Sequence, residues 1–101
     1  MKFVVTWKVR AGGSAEDIEA ALKRNLEVFA KWTPASSPQA MLIRADGQGG
    51  FGIFETDDAA ALLQDVAIFS PFLEHNVYPV LDIEQGVGVF QSAIEFRASI
   101  Q

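Results

Sequence analysis

From Lys2 to Lys8 the chain alternates with the period of a β-strand, yet both sides are apolar: Phe3, Val5 and Trp7 point one way, Val4 and Thr6 the other. A strand of that kind is covered on both faces. After the Gly12-Gly13 turn, Ser14 stands as an N-cap with Asp17 three residues on, and Glu16 and Asp17 suit the positive end of a helix. The helix is predicted to run to about Trp32 and to stop before Pro34. Turned at about 100° per residue, it gathers Ile18, Ala21, Leu22, Leu26, Val28, Phe29 and Trp32 on one side. Charged residues take the other side, and Asn25 falls in the middle of the apolar one.

A loop from Thr33 to Pro38 leads to a strand expected near Gln39 to Ala45. Asp46-Gly47-Gln48-Gly49-Gly50 then makes a hairpin into a strand from Phe51 to Thr56. Asp57 and Asp58 open a second helix with Leu62, Leu63, Val66 and Phe69 on one face, and Ser70-Pro71 ends it before a short turn from Phe72 to His75. The last strand is placed at Val77 to Glu84, where Pro79 lacks a ladder donor and marks an edge. Gly86 and Gly88 interrupt the pattern. Val89, Ala93, Phe96 and Ile100 recur at helical spacing, which predicts a terminal helix over 89–100, with a strand around Val87 to Phe90 as the alternative.

The order β-α-β-β-α-β plus a helix, with right-handed crossovers, predicts an α+β ferredoxin-like sandwich: a four-stranded antiparallel sheet, strand order 4-1-3-2, with two helices on one face. The 101 residues form one domain, residues 1–101. Half of the residues are hydrophobic, more than a chain this short can hide in its own core. The uncovered sheet face is therefore expected to meet the same face of a second copy, giving a homodimer.

Net charge is -5, with no cluster of basic residues, which argues against nucleic acid and against anionic membrane surfaces. Without cysteine there is no disulfide and no thiolate chemistry. The opening residues do not read as a signal peptide and no run approaches a membrane span, so a cytoplasmic location is expected.

The stretches Phe29-Ala30-Lys31-Trp32-Thr33-Pro34, Asp46-Gly47-Gln48-Gly49-Gly50-Phe51, Glu55-Thr56-Asp57, Phe69-Ser70-Pro71-Phe72 and Pro79-Val80-Leu81-Asp82-Ile83 resemble a family of small bacterial domains of unknown function. The likeness covers nearly the whole chain. That family in turn is similar to the dimeric α/β-barrel superfamily, which holds muconolactone isomerases, cofactor-free quinone-forming monooxygenases, haem-degrading monooxygenases and stress-responsive barrel proteins. The resemblance implies a fold and a dimer; it transfers no catalytic motif.

Asn25 is the first candidate for a ligand contact, because an amide on a buried helix face must find partners or cost stability. A satisfied amide bonded to backbone or water is the ordinary outcome. Trp7, Trp32 and Tyr78 are candidates to line an apolar pocket, with the Tyr78 hydroxyl as one polar contact, against the commoner role of aromatics in a core or interface. His75 is the single histidine and the one side chain whose ordinary pKa suits proton transfer at neutral pH. In the haem-degrading relatives a histidine in that neighbourhood binds iron with an asparagine and a tryptophan nearby. Here the second helix has no tryptophan, and Glu74 would set a negative charge beside the porphyrin. No cofactor and no metal are expected: Asp82 and Glu84, placed on one side of the last strand, and Glu55 read as solvated charges. The glycines of Asp46 to Gly50 join two strands and lack a P-loop lysine, so they read as a turn.

The resulting expectation is a homodimer that binds a small apolar or aromatic molecule between helices and sheet, with Asn25, Trp7, Trp32, His75 and Tyr78 as ligand-binding residues. A cofactor-independent isomerase or monooxygenase activity is compatible with it. The alternative is a non-enzymatic assembly or interaction module with a filled interior.

Overall fold

The computed structural model describes residues 1–10 and 12–100. Its elements are β1 (Lys2–Val9), α1 (Ala15–Lys31), β2 (Ser37–Ile43), β3 (Gly49–Glu55), α2 (Ala59–Phe69), β4 (Leu73–Val80) and α3 (Ile83–Ala98). The sheet is antiparallel throughout in the order β2-β3-β1-β4, the ferredoxin-like arrangement that the element order predicts.

Local chemistry sets most boundaries. Ser14 and Asp17 form the expected capping box, Ser14 Oγ accepting from Asp17 N at 3.1 Å and Asp17 Oδ2 from Ser14 N at 3.2 Å. Asp58 caps α2 by accepting from Ala60 N at 2.9 Å. Between β2 and β3, Gly47 adopts a φ of +72°, and Gln48 N donates to Asp46 Oδ1 at 3.0 Å. β2 and β3 each begin two residues earlier than expected, so Gly49 and Gly50 lie inside β3. Gly50 pairs with Trp7 across the ladder, and a Cβ there would sit 2.6 Å from the Trp7 ring and closer still to the Leu42 carbonyl. The absence of a side chain at Gly50 leaves the room that the Trp7 ring occupies.

Three expectations at the C-terminal end are corrected. β4 covers Leu73–Val80, so the segment predicted as a turn at Phe72 to His75 is largely strand, and His75 is a strand residue. Asp82 and Glu84 are not on that strand: Asp82 is the N-cap of α3 and Glu84 lies in its first turn. α3 starts six residues before the predicted Val89 and runs through Gly86 and Gly88, because glycine in a helix costs only about 1 kcal/mol relative to alanine. The alternative strand around Val87 to Phe90 is absent from these residues. Pro79 does stand on an edge strand, and Pro38 stands on the other edge, β2, beside a register shift between Pro38 and Ala40.

The core lies between the sheet and α2. Val5, Phe54, Leu62 and Phe69 are buried, with Phe3, Trp7, Trp32 and Val66 packed around Val5, Phe54 and Leu62. Leu63, expected on the packed face of α2, is 66% exposed; the face is built by Leu62, Asp65, Val66 and Phe69 at helical spacing. Neither α1 nor α3 contributes a buried residue. On the far side of the sheet, the cross-strand partners Leu42–Phe51 and Ile53–Val4–Tyr78 form an apolar face, with Leu42, Phe51 and Tyr78 about half exposed. No described helix is long and apolar enough to cross a membrane.

Candidate functional site

Strand parity decides what reaches the helix side. Phe3, Val5 and Trp7 of β1 share that face with Phe54 of β3, Met41 and Ile43 of β2, and Leu73 and His75 of β4, since paired residues of neighbouring strands point to the same side. Above them, α1 presents Asn25, Leu26 and Phe29, and α2 presents Leu62, Asp65 and Val66. Between the layers lies a cavity of about 220 Å³ lined by these residues and Trp32. Its rim is apolar and open: Leu26, Phe29 and Ile43 are 61%, 52% and 76% exposed.

Asn25 Oδ1 is buried in this wall with no hydrogen-bond partner. An acceptor so placed costs about 1–3 kcal/mol until a donor reaches it. His75 is half-buried beside Trp7, its cross-strand neighbour. Burial first, and the Arg10 guanidinium second, hold its pKa below the ordinary histidine value, against a backbone hydrogen bond with Leu73 that acts the other way. At neutral pH the ring is therefore uncharged and able to accept a proton. Arg10 itself belongs to a second cavity of about 230 Å³ at the end of the sheet, lined also by Asn25 and Leu73, so the two spaces meet at Asn25.

Trp32 ends α1 and packs edge-on against Phe69, ring centres 5.1 Å apart and planes at 88°. Its Nε1 donates to Asp65 Oδ1 at 3.1 Å. The same carboxylate accepts from Ala35 N and Ser36 N, both at 2.8 Å, and from Ser36 Oγ. Burial opposes ionisation of Asp65, but the hydrogen bonds from Ser36, Ala35 and Trp32 outweigh it and keep its pKa below the ordinary carboxylate value. Asp65 thus holds the α1–β2 loop and the indole of Trp32 in place, and its oxygens are already occupied.

Trp7, Asn25, Trp32 and His75 are brought together around one cavity. Tyr78 is not: it stands on the opposite face, cross-strand from Val4 and 52% exposed, because alternation along β4 sends His75, Val77 and Pro79 towards the helices and Tyr78 away. Asp65 was not among the expected site residues. Its signal was a single acid at the apolar spacing of Leu62, Val66 and Phe69. Among the described residues there is no group of three or more His, Asp or Glu side chains able to hold a metal ion. Since a closed cavity of about 150 Å³ accepts benzene, a space of this size has room for a single ring.

Among solved structures, the chain is similar to two crystal structures of SnoaB, a cofactor-independent oxygenase from Streptomyces nogalater. One, a mutant, aligns at 15% identity and a TM-score of 0.38 over 80% of this chain and 94% of the other. The second aligns at 18% identity and a TM-score of 0.36 over 80% and 92%. No curated protein matches the chain. Residues 1–94 match a family model, and the chain belongs to that family, a domain of unknown function, DUF3303.

Proposed function

We propose that the protein is a homodimer that binds a small aromatic molecule carrying a hydroxyl or N–H group in the cavity beneath α1. The carrying observation is the unpartnered Asn25 Oδ1 in a largely apolar wall. A purely structural role would favour a filled interior and a satisfied or apolar residue at that position. Instead the space is open, and its polar groups are few and distinct, as in small-molecule sites. The ligand's ring packs on Trp7 and Phe29 while its donor bonds Asn25.

Neutral His75 in the same cavity supports a reaction class as well as binding. The proton of a phenol or enol passes to the imidazole, leaving an electron-rich anion; the positive charge of Arg10 nearby favours the anion and disfavours the imidazolium, so the proton is held only weakly and is readily passed on. Cofactor-independent isomerisation and oxygenation both begin from such an anion.

Trp7 and Trp32 are the two tryptophans of the chain and both line the cavity, so intrinsic fluorescence reports occupancy. Phenol and toluene are titrated into the protein and its Asn25→Leu variant. The native protein should prefer phenol, and the variant should lose that preference by about tenfold, the worth of one hydrogen bond plus its desolvation, while keeping toluene affinity. An unchanged phenol-to-toluene ratio would exclude Asn25 as the polar contact.

A further inference from the structure

α3 stands apart from the rest of the molecule. The Cα radius of gyration is 18.2 Å, against about 13 Å for a compact chain of this length, and the long axis of 65 Å is more than twice the others, 26 and 21 Å. A 16-residue helix adds about 24 Å of length. It is not a polar spacer. Ile83, Val87, Phe90 and Ile94 form one stripe along α3, while Val89 and Phe96 share a second line about 140° round the helix at about 100° per residue, with Gly86, Ala93 and Arg97 between the two. Each residue of the stripe and of the second line is between 46% and 81% exposed. Glu84, Gln85, Gln91, Ser92 and Glu95 occupy the remaining arc. Gly86 lies within the apolar half, and a Cβ there would meet nothing within 4 Å. A helix-weakening glycine on that face makes sense where another surface approaches closely.

The helix is also directed away from its own body. Leu81 and Asp82 alone connect it to β4, and Lys2 Nζ bonds Asp82 Oδ1 at 2.8 Å, fixing the N-cap at the corner of the sheet. We propose that α3 is an exchanged arm, packing against the body of a second copy of this chain in place of its own. This rests on the homodimer reading above.

Area favours that occupant. The chain exposes 7539 Å², whereas a compact monomer of its mass exposes about 5,600 Å². The surplus is about 1,900 Å² per chain, or about 3,800 Å² for a pair, which falls in the range of permanent homodimers. In such a pair the outer sheet faces, meeting each other through Phe51, Ile53 and Tyr78, supply part of that area, and the two arms, each laid on the partner's body, supply the rest. Two-fold symmetry then uses each arm and each receiving surface once.

The test uses the full chain. Phe90 is replaced by the photoreactive p-benzoylphenylalanine, and this chain is mixed with an isotope-labelled chain lacking it, under conditions that exchange subunits. Irradiation should yield adducts at twice the chain mass that join a labelled and an unlabelled chain. Adducts confined to the same chain would overturn the exchange. In parallel, the double variant Phe90→Asp/Ile94→Asp should dissociate at least about a hundredfold more readily by sedimentation, the effect of two large apolar side chains removed from an interface. Its amide spectrum should retain the dispersion of a folded body, because both side chains face solvent within their own chain. A variant that stays dimeric would sink the arm and spare the homodimer; a monomeric native protein would sink both.

Discussion

Asp65 carries more hydrogen bonds than any other side chain described above, and removing it offers a quantitative check on how the cavity is held. Asp65→Ala strips the acceptor from four donors: Trp32 Nε1, Ala35 N, Ser36 N and Ser36 Oγ. Ser36 is itself buried, at 8% exposure, so its amide finds no water and bears the full penalty of about 1–3 kcal/mol. Trp32 and Ala35 lie nearer solvent and forfeit a net bond of about 0.5–1.5 kcal/mol each. The expected loss is about 2–6 kcal/mol, out of the roughly 5–15 kcal/mol typical of a domain. Urea unfolding at fixed protein concentration, followed by tryptophan fluorescence, measures it, and the melting temperature should fall by at least about 8 °C. The acid dependence gives a second reading. The folded pKa of Asp65 is depressed, so its contribution is complete above the unfolded value of about 3.9 and is lost as pH falls through the folded value. The gap between native protein and variant should therefore narrow in acid. A loss below about 1 kcal/mol at pH 7, or a gap that stays constant to pH 2, would refute the claim that Asp65 is ionised and pins the loop.

Asn25→Leu should stabilise the ligand-free protein by about 1–3 kcal/mol, because it removes a buried acceptor that has no donor, and a denaturation midpoint unchanged or lowered would contradict that. Gly50→Ala should destabilise by about 1–3 kcal/mol and change the tryptophan emission, since a Cβ there collides with the Trp7 ring; native-like emission and stability would show that the sheet yields easily. The His75 ring should titrate below its ordinary value in a proton NMR series and move upward in Arg10→Gln, and a midpoint at or above 6.5 in the native protein would exclude the neutral ring. Stability linked to neutral His75 is complete above the unfolded pKa and lost as pH falls through the folded one. Ile53→Lys, in the middle of the outer sheet face, should weaken self-association in sedimentation, and an unaltered dimer would exclude that face from the interface.

Much of the fold could be read from spacing alone. The two-sided apolar pattern of β1, the Ser14-Asp17 cap and the Asp58 cap are local signals that survive into the structure unchanged. The strand order follows from them once crossover handedness is fixed. What failed depended on parity and on context. Placing the last strand four residues late hid the fact that His75 and Tyr78 occupy opposite faces, which only the pairing of β4 with β1 reveals. Gly86 and Gly88 looked like breaks because their cost is visible in sequence, whereas the Lys2 partner of Asp82 at the helix start is 80 residues away. Asp65 was overlooked because its donors come from a loop whose course no periodicity describes. Asn25, by contrast, stood out for the physical reason that matters: a polar group at the centre of an apolar stripe.

The two prolines at the margins of the sheet bear on how copies of this protein accumulate. β2 carries Pro38 and a register shift, β4 carries Pro79, and these are the strands with unpaired outer edges. Each proline withholds a donor where an incoming strand would need one, so sheets cannot readily lengthen side by side. Growth by edge addition has no end point and leads to fibres, whereas contact through one face and one helix is used up when two copies meet. In the proposed homodimer, a chain with this much uncovered apolar surface would form a finite particle, because its sheet edges resist strand addition while its open face takes part in pairing.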